Sequence, residues 1–156
     1  MIIRRATEND LAELNRLLYQ VMEVHSQGRP DIFRQGEKKY SDEELKAILN
    51  DYKRPIFVAD EGETGLSGYV FCVIAENRGS RILNKIKTLY IDDLCVDKEL
   101  RHRNIGRRLL EYAVNFAKAE KCRSVTLNVW AFNGNAIKFY EACGFTPQKI
   151  TMEKLI

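Results

Sequence analysis

The chain has 156 residues, a net charge of +3 and four cysteines. That length suits one domain, 1–156, with a core large enough to fold. The charge excess is too slight for a nucleic-acid-binding face, no apolar run is long enough to span a bilayer, and no signal-peptide pattern is present. A cytoplasmic protein that binds neither nucleic acid nor membrane is the expectation. Cys72, Cys95, Cys122 and Cys143 are widely spaced, with no Cys-x-x-Cys pair or Cys/His cluster. Reduced, buried thiols and no metal site are therefore expected.

Ile2-Ile3-Arg4 reads as a short first strand. Thr7 can cap the helix that follows, with Asp10 as its third residue. Leu11, Leu14, Leu17, Leu18 and Val21 recur at helical spacing and carry that helix to about His25. Gln27-Gly28-Arg29-Pro30 breaks it. Ser41-Asp42-Glu43-Glu44 opens a second helix, carried by Leu45, Ile48 and Leu49, and Pro55 ends that region. Strands follow over 57–60 and 67–75, joined by a turn through Gly62 and Gly65. The polar stretch 76–87 contains a Gly79-Ser80 turn. A strand over 88–96, a helix from 105 to about 121 and a strand over 125–130 come next. A helix over 135–143, closed by Gly144 as a left-handed cap, and a last strand over 149–154 complete the pattern. One α/β domain with a mixed, mostly antiparallel sheet flanked by helices is the simplest assembly.

The junction between the strand 88–96 and the helix from 105 carries the chemistry. A helix start presents unpaired N–H groups at the positive end of its dipole, which suits a phosphate. Arg101, Arg103, Arg107 and Arg108 crowd it. It is not a P-loop, which needs paired glycines before Lys and Ser or Thr, nor a dinucleotide fingerprint, which needs three spaced glycines. What remains is Arg101-His102-Arg103-Asn104-Ile105-Gly106 ahead of an apolar helix.

A second block is Asn133-Gly134-Asn135-Ala136-Ile137-Lys138-Phe139-Tyr140-Glu141-Ala142-Cys143-Gly144-Phe145. Together the two blocks resemble the signatures of the GCN5-related N-acetyltransferases. Asn104 stands where that family has its first glycine, and asparagine enters left-handed backbone conformations more readily than other side-chain-bearing residues. The resemblance implies the GNAT fold, with two adjacent parallel strands that splay apart to hold acetyl-CoA. It implies that the backbone of Leu94, Cys95 and Val96 binds the pantetheine and the acyl carbonyl. The pyrophosphate would rest on residues 102–107, with Arg101 beside it, and Asn133 would reach the pantetheine arm. Tyr140 would protonate the departing thiolate. A homodimer is a frequent assembly of that family.

Residue by residue, plainer roles stand beside these. Tyr140 shares helical spacing with Ala136, Phe139 and Cys143 and could be a core aromatic. Asn133 could be a turn former or cap, with Asn135 the more natural pure cap. Trp130 reads as core. His25 and residues 29–33 belong to the acceptor side, with an exposed helix-end histidine and a loop anchored by Phe33 as their plainer roles.

Asp92 and Asp93 interrupt an apolar strand. Period-two geometry sends them to opposite faces unless a bulge intervenes. A carboxylate buried without a partner is costly, so at least one should meet a cleft or a cation. Two acids at this place are similar to the corresponding strand of the polyamine acetyltransferases, so the expected acceptor is a small cationic amine. Asn128 stands where some relatives carry a basic Glu, which turns attention to the Asp pair. An alkylamine of pKa about 10.4 needs roughly 4.6 kcal/mol to lose its proton at pH 7. The rival readings are acetylation of a protein N-terminus or lysine, and a silent acyl-CoA-binding regulatory domain.

Overall fold

The computed structural model describes residues 1–77 and 81–156; the predicted Gly79-Ser80 turn lies outside them. The strands are β1 (Ile2–Arg5), β2 (Ile56–Asp60), β3 (Leu66–Glu76), β4 (Lys87–Val96) and β5 (Ser124–Leu127). The helices are α1 (Leu11–Gly28), α2 (Asp42–Leu49), α3 (Ile105–Ala119) and α4 (Gly134–Ala142). Among the described residues the sheet runs in the order β1-β2-β3-β4-β5; the β4–β5 pair is parallel and the other pairs are antiparallel. This is the mixed, mostly antiparallel sheet expected.

Alternation along the strands sorts the core into two layers. Ile56, Val58, Tyr69 and Phe71 face one side and pack against Leu14, Leu17 and Leu18 of α1 and Leu45 and Ile48 of α2. Phe57, Ala59, Val70 and Cys72 face the other and meet Leu109, Leu110, Ala113 and Ala117 of α3. The sheet is thus covered on both faces by helices.

Local chemistry sets the ends of the elements. The Asp10 carboxylate accepts from the Thr7 N–H at 2.7 Å, as the capping pattern predicts, but the first turn is a 3-10 turn over Glu8–Asp10. Ser41 caps α2 by accepting from the Glu44 N–H, and the Glu44 carboxylate returns the contact to the Ser41 N–H at 2.8 Å. Helix α1 runs to Gly28, past the expected end near His25, and stops only at Arg29 before Pro30. The reason for glycine there is steric: a side chain on Gly28 would collide with the ring of Phe132.

Three expectations need correction. Residues 149–154 form no strand; they lie exposed beyond α4, with Ile150, Met152 and Leu155 open to solvent. Strand β5 ends at Leu127, three residues before Trp130. Trp130 is half-exposed, edge-on to Phe33 at 5.2 Å and stacked on Phe132 at 6.2 Å, so it belongs to a surface aromatic cluster and not to the core. Of the four cysteines, all free, Cys72 and Cys95 are buried and Cys122 and Cys143 are half-buried. No helix among the described residues is long and apolar enough to cross a membrane.

One polar clasp fixes the C-terminal end of β4. Arg16 of α1 pairs with the buried Asp97, holds Glu13 at 3.0 Å and donates to the Leu66 carbonyl at 2.8 Å. Asp97 in turn caps the 3-10 turn Lys98–Leu100. Replacing Arg16 by methionine leaves Asp97 without its cation. Because Arg16 is partly solvated, a loss of about 1–3 kcal/mol is expected in urea unfolding, short of the full cost of a deeply buried pair. An unchanged midpoint would show that the clasp adds nothing to stability.

Candidate active site

The site is built around an irregularity in β4. Leu89 and Ile91 face α3, and period two would carry residues 93 and 95 to that same face. Instead Cys95 packs against Leu17 and the α1 layer, and Asp93 bonds to Tyr69 of that layer. The phase flips because Phe71 pairs with Asp93 and the adjacent Cys72 pairs with Ile91, so Asp92 is the extra residue of a β-bulge. The two aspartates therefore share one face, where regular alternation would have separated them.

The same residue marks where the parallel strands part. Pairing of β4 with β5 covers Thr88–Ser124 to Ile91–Leu127 and stops there. Beyond it β4 pairs, among the described residues, with β3 alone. The Asp97 N–H bonds to the Ser67 carbonyl at 2.9 Å. Alternation along an antiparallel pair then turns Cys95 and Asp93 toward β3 and leaves the main-chain groups of Leu94 and Val96 facing the gap. Cys95 is sealed off twice over: its backbone belongs to the β3 ladder and its thiol donates to the Leu17 carbonyl at 3.6 Å. Burial pushes that thiol up to about 12, which leaves it a poor nucleophile.

Each carboxylate has its own surroundings. Asp92 accepts from the Tyr40 hydroxyl and pairs with Lys39 Nζ at 2.9 Å. Asp93 accepts from the Tyr69 hydroxyl at 2.9 Å. Burial raises the Asp93 carboxyl to about 6, against the opposing pull of Lys39, Tyr69 and the Leu94 amide. Tyr40 stacks on Phe71 at 5.7 Å, and Tyr69 meets the same ring edge-on at 4.8 Å. Sequence reasoning missed Lys39, Tyr40 and Tyr69. The first two lie more than fifty positions from the aspartates they contact, and no local pattern announces the pairing.

After β4 comes the basic loop. His102 and Asn104 both adopt left-handed backbone, at φ 66° and 59°, and Asn104 serves as the N-cap residue of α3. The Arg108 N–H is bonded to the Asn104 carbonyl at 3.0 Å. The N–H groups of Ile105, Gly106 and Arg107 precede it and have no helical partner, and no acid occupies this first turn. Ile105 is buried and anchors the turn. Gly106 allows close packing: a Cβ there would lie 3.3 Å from Phe139 of α4 and 3.4 Å from Val96. Arg101, His102 and Arg103 are exposed around the loop. Arg107 reaches the Ala142 carbonyl at 3.3 Å, and Arg108 turns away to the Met1 carbonyl at 3.5 Å.

Helix α4 closes the gap from the α3 side. Asn133, not Asn135, is its cap, accepting from the Ala136 N–H at 3.1 Å. Tyr140 packs between Phe139 and Phe145, with centroids at 5.2 and 5.8 Å. Burial and then the nearby Asp93 charge push its phenol above the ordinary range, so the hydroxyl keeps its proton at neutral pH. Asn128 lies exposed past β5 and donates to the Tyr90 hydroxyl at 3.2 Å. His25 is half-buried rather than exposed; it stacks near Phe33 at 5.0 Å, and burial holds its pKa down. No cluster of His, Cys, Asp or Glu suited to a metal occurs among the described residues.

A helix start with unpaired N–H groups, a split pair of parallel strands and a protonated phenol near a carboxylate lie around the end of β4. The model of the acetyltransferase (GNAT) family matches residues 18–145. The chain belongs to the GNAT family. Among solved structures, the BH1408 protein of Bacillus halodurans, determined as a mutant, is 34% identical over the whole of this chain and 99% of its own, with a TM-score of 0.95. An aminoglycoside acetyltransferase from a soil metagenome, in complex with sisomicin, shares the GNAT fold at a TM-score of 0.75 and 21% identity, over 99% of this chain and 95% of its own. Among curated relatives, glucosamine 6-phosphate N-acetyltransferase 1 of rice is 27% identical over 110 residues. The match takes in 70% of this GNAT chain and 62% of the rice enzyme's length.

Proposed function

We propose that the protein is an N-acetyltransferase that moves the acetyl group of acetyl-CoA to a small cationic amine by direct attack. The observation that carries this reading is the bulge at Asp92, which puts two carboxylates on one face where β4 and β5 separate. Acetyl-CoA supplies a thioester whose carbonyl carbon an amine can attack. In our reading the loop N–H groups of 102–107, with Arg101 and Arg103, hold the diphosphate. Each such contact contributes only about 0.3–1 kcal/mol, so several must act together. The main chain of Leu94 and Val96 binds the pantetheine arm, and the Val96 N–H, the one not engaged by Asp93, polarises the acyl carbonyl. Asn133 has its oxygen committed to the cap, which leaves its amide nitrogen for the pantetheine.

Asp93 is assigned the acceptor's proton. A carboxyl near 6 narrows the mismatch with an alkylamine by about 3 kcal/mol relative to an ordinary aspartate. Tyr140 is assigned the proton that the leaving sulfur takes. Asp92 draws in the cation. Two relatives, named for a sugar amine and for aminoglycosides, support a small-molecule acceptor, while a third, N-alpha-acetyltransferase 30 of yeast, keeps a protein N-terminus as the rival. We carry over with the family a cytoplasmic setting, a single domain over 1–156 and a homodimer.

Asp92→Asn should raise KM for a cationic amine about tenfold, the value of one partly solvated charge pair, with kcat much less affected. Steady-state kinetics with a diamine and with a weakly basic aromatic amine, uncharged at pH 7, separate the two: equal KM changes for both would deny Asp92 a role in cation recognition. The broader test follows thiol release from acetyl-CoA over a panel of amines, amino sugars and peptide N-termini. Turnover with small cations is expected. Binding of acetyl-CoA without release to any acceptor would mean a silent acyl-CoA-binding domain, and turnover with peptides alone would mean a protein acetyltransferase.

A further inference from the structure

The carboxylate assigned to the acceptor cation already holds a primary amine of this same chain. Lys39 Nζ lies 2.9 Å from Asp92 Oδ2 and donates to the Asp92 carbonyl at 3.0 Å. It also sits over the Tyr40 ring, 5.5 Å from the centroid. Cation–π contact, carboxylate and carbonyl are the three groups a site for an ammonium would offer. Lys39 comes from the segment between α1 and α2, is 36% exposed, and contacts β4 beside the last β4–β5 pair. Its neighbour Lys38 is held elsewhere, by Asn15 at 2.6 Å and by Asp42.

We propose that Lys39 is a self-acetylation site, its ε-amino group receiving the acetyl group within the same molecule when no better amine competes. The inference rests on the acetyl-transfer reading above. The Lys39 ammonium first gives a proton to Asp93, directly or through water. The neutral amine then attacks the thioester carbonyl carbon, a C–N bond forms and the C–S bond breaks. The sulfur leaves with a proton from Tyr140, which recovers one from Asp93, and the freed Asp93 carboxylate takes the surplus proton of the acylated nitrogen and passes it to water. The balance is one ammonium and one thioester consumed, and one amide, one thiol and one proton formed. Acetylated Lys39 no longer neutralises Asp92, so a modified chain would draw cationic acceptors more strongly.

The test incubates the full chain with acetyl-CoA and no added amine, then reads intact mass and peptide maps. One acetyl group per chain is expected, on Lys39 and not on Lys38. The rate per chain should be unchanged on dilution, and Tyr140→Phe should slow it at least about tenfold. Labelling of Lys39 no faster than of Lys38, a rate that rises with protein concentration, or indifference to Tyr140→Phe would each overturn the proposal. Thiol release with external amines is measured in parallel on Lys39→Arg. Turnover there, with wild-type Lys39 unlabelled, overturns self-acetylation and leaves the acetyltransferase reading standing. No labelling, no turnover and no coenzyme A binding would overturn both.

Discussion

Asp93→Asn should lower kcat/KM at pH 7 by about 100-fold or more, the usual scale of a lost general base. It should also make the protein more stable. The physical reason is one and the same: a carboxyl held near 6 by burial is both a usable base and a desolvated charge. The folded chain binds the Asp93 proton up to about pH 6, whereas the unfolded chain releases it near the ordinary value of 3.8. Between those values the native state holds more protons than the unfolded state, so this group's contribution to stability falls as pH rises and levels off above about 6. Asparagine removes that penalty. The gain above pH 7 should be about 1–3 kcal/mol after allowance for partial solvation, and little should be gained at pH 4. Wild-type kcat/KM should climb with unit slope as pH rises through about 6, and the variant should lack that limb. Denaturant curves at pH 4 and 8, with a pH–rate profile, check both halves. A variant as active as wild type, or one destabilised at pH 8, would contradict the assignment.

The second large effect is expected at Tyr140. Tyr140→Phe should lower kcat about 100-fold and change coenzyme A affinity less than about twofold, because the ring packing with Phe139 and Phe145 survives and only the hydroxyl is lost. A phenol raised above its ordinary value is always protonated at working pH, and so always able to donate. The cost is a weaker acid. The same burial would raise the leaving thiol, as it does Cys72, at about 12, and so offset that cost in part. Single-turnover thiol release compared with equilibrium binding makes the distinction. Loss of affinity equal to loss of rate would make Tyr140 a packing residue.

Much of this arrangement is readable from residue order, for identifiable reasons. Helices α1 and α3 announce themselves because leucines and alanines recur at helical spacing, and the Thr7–Asp10 capping pattern marks the approach to the first. The loop after Val96 is readable because its function depends on main-chain geometry, and Asn104 tolerates the left-handed conformation it needs. A strand over 149–154 would need a neighbour with free edge groups, and residue order alone cannot supply one. Trp130 lies at the surface for a related reason: an apolar run records affinity for apolar surface, not where that surface is. The bulge at Asp92 depends on how β3 and β4 register across the sheet, and the contacts of Lys39 and Tyr40 depend on how a loop folds over it. These are tertiary facts, and much of the acceptor side consists of them.

The central claim is that the turn after Val96 grips the diphosphate of a thioester carrier and sets its acyl end beside Tyr140. Calorimetric titration of the full chain with coenzyme A, at low and high salt, tests it most directly. Saturable heat is predicted, weakened by salt and by Arg103→Ala, with acetyl-CoA competing for the same site. No heat from coenzyme A, and no competition by its acetylated form, would contradict it.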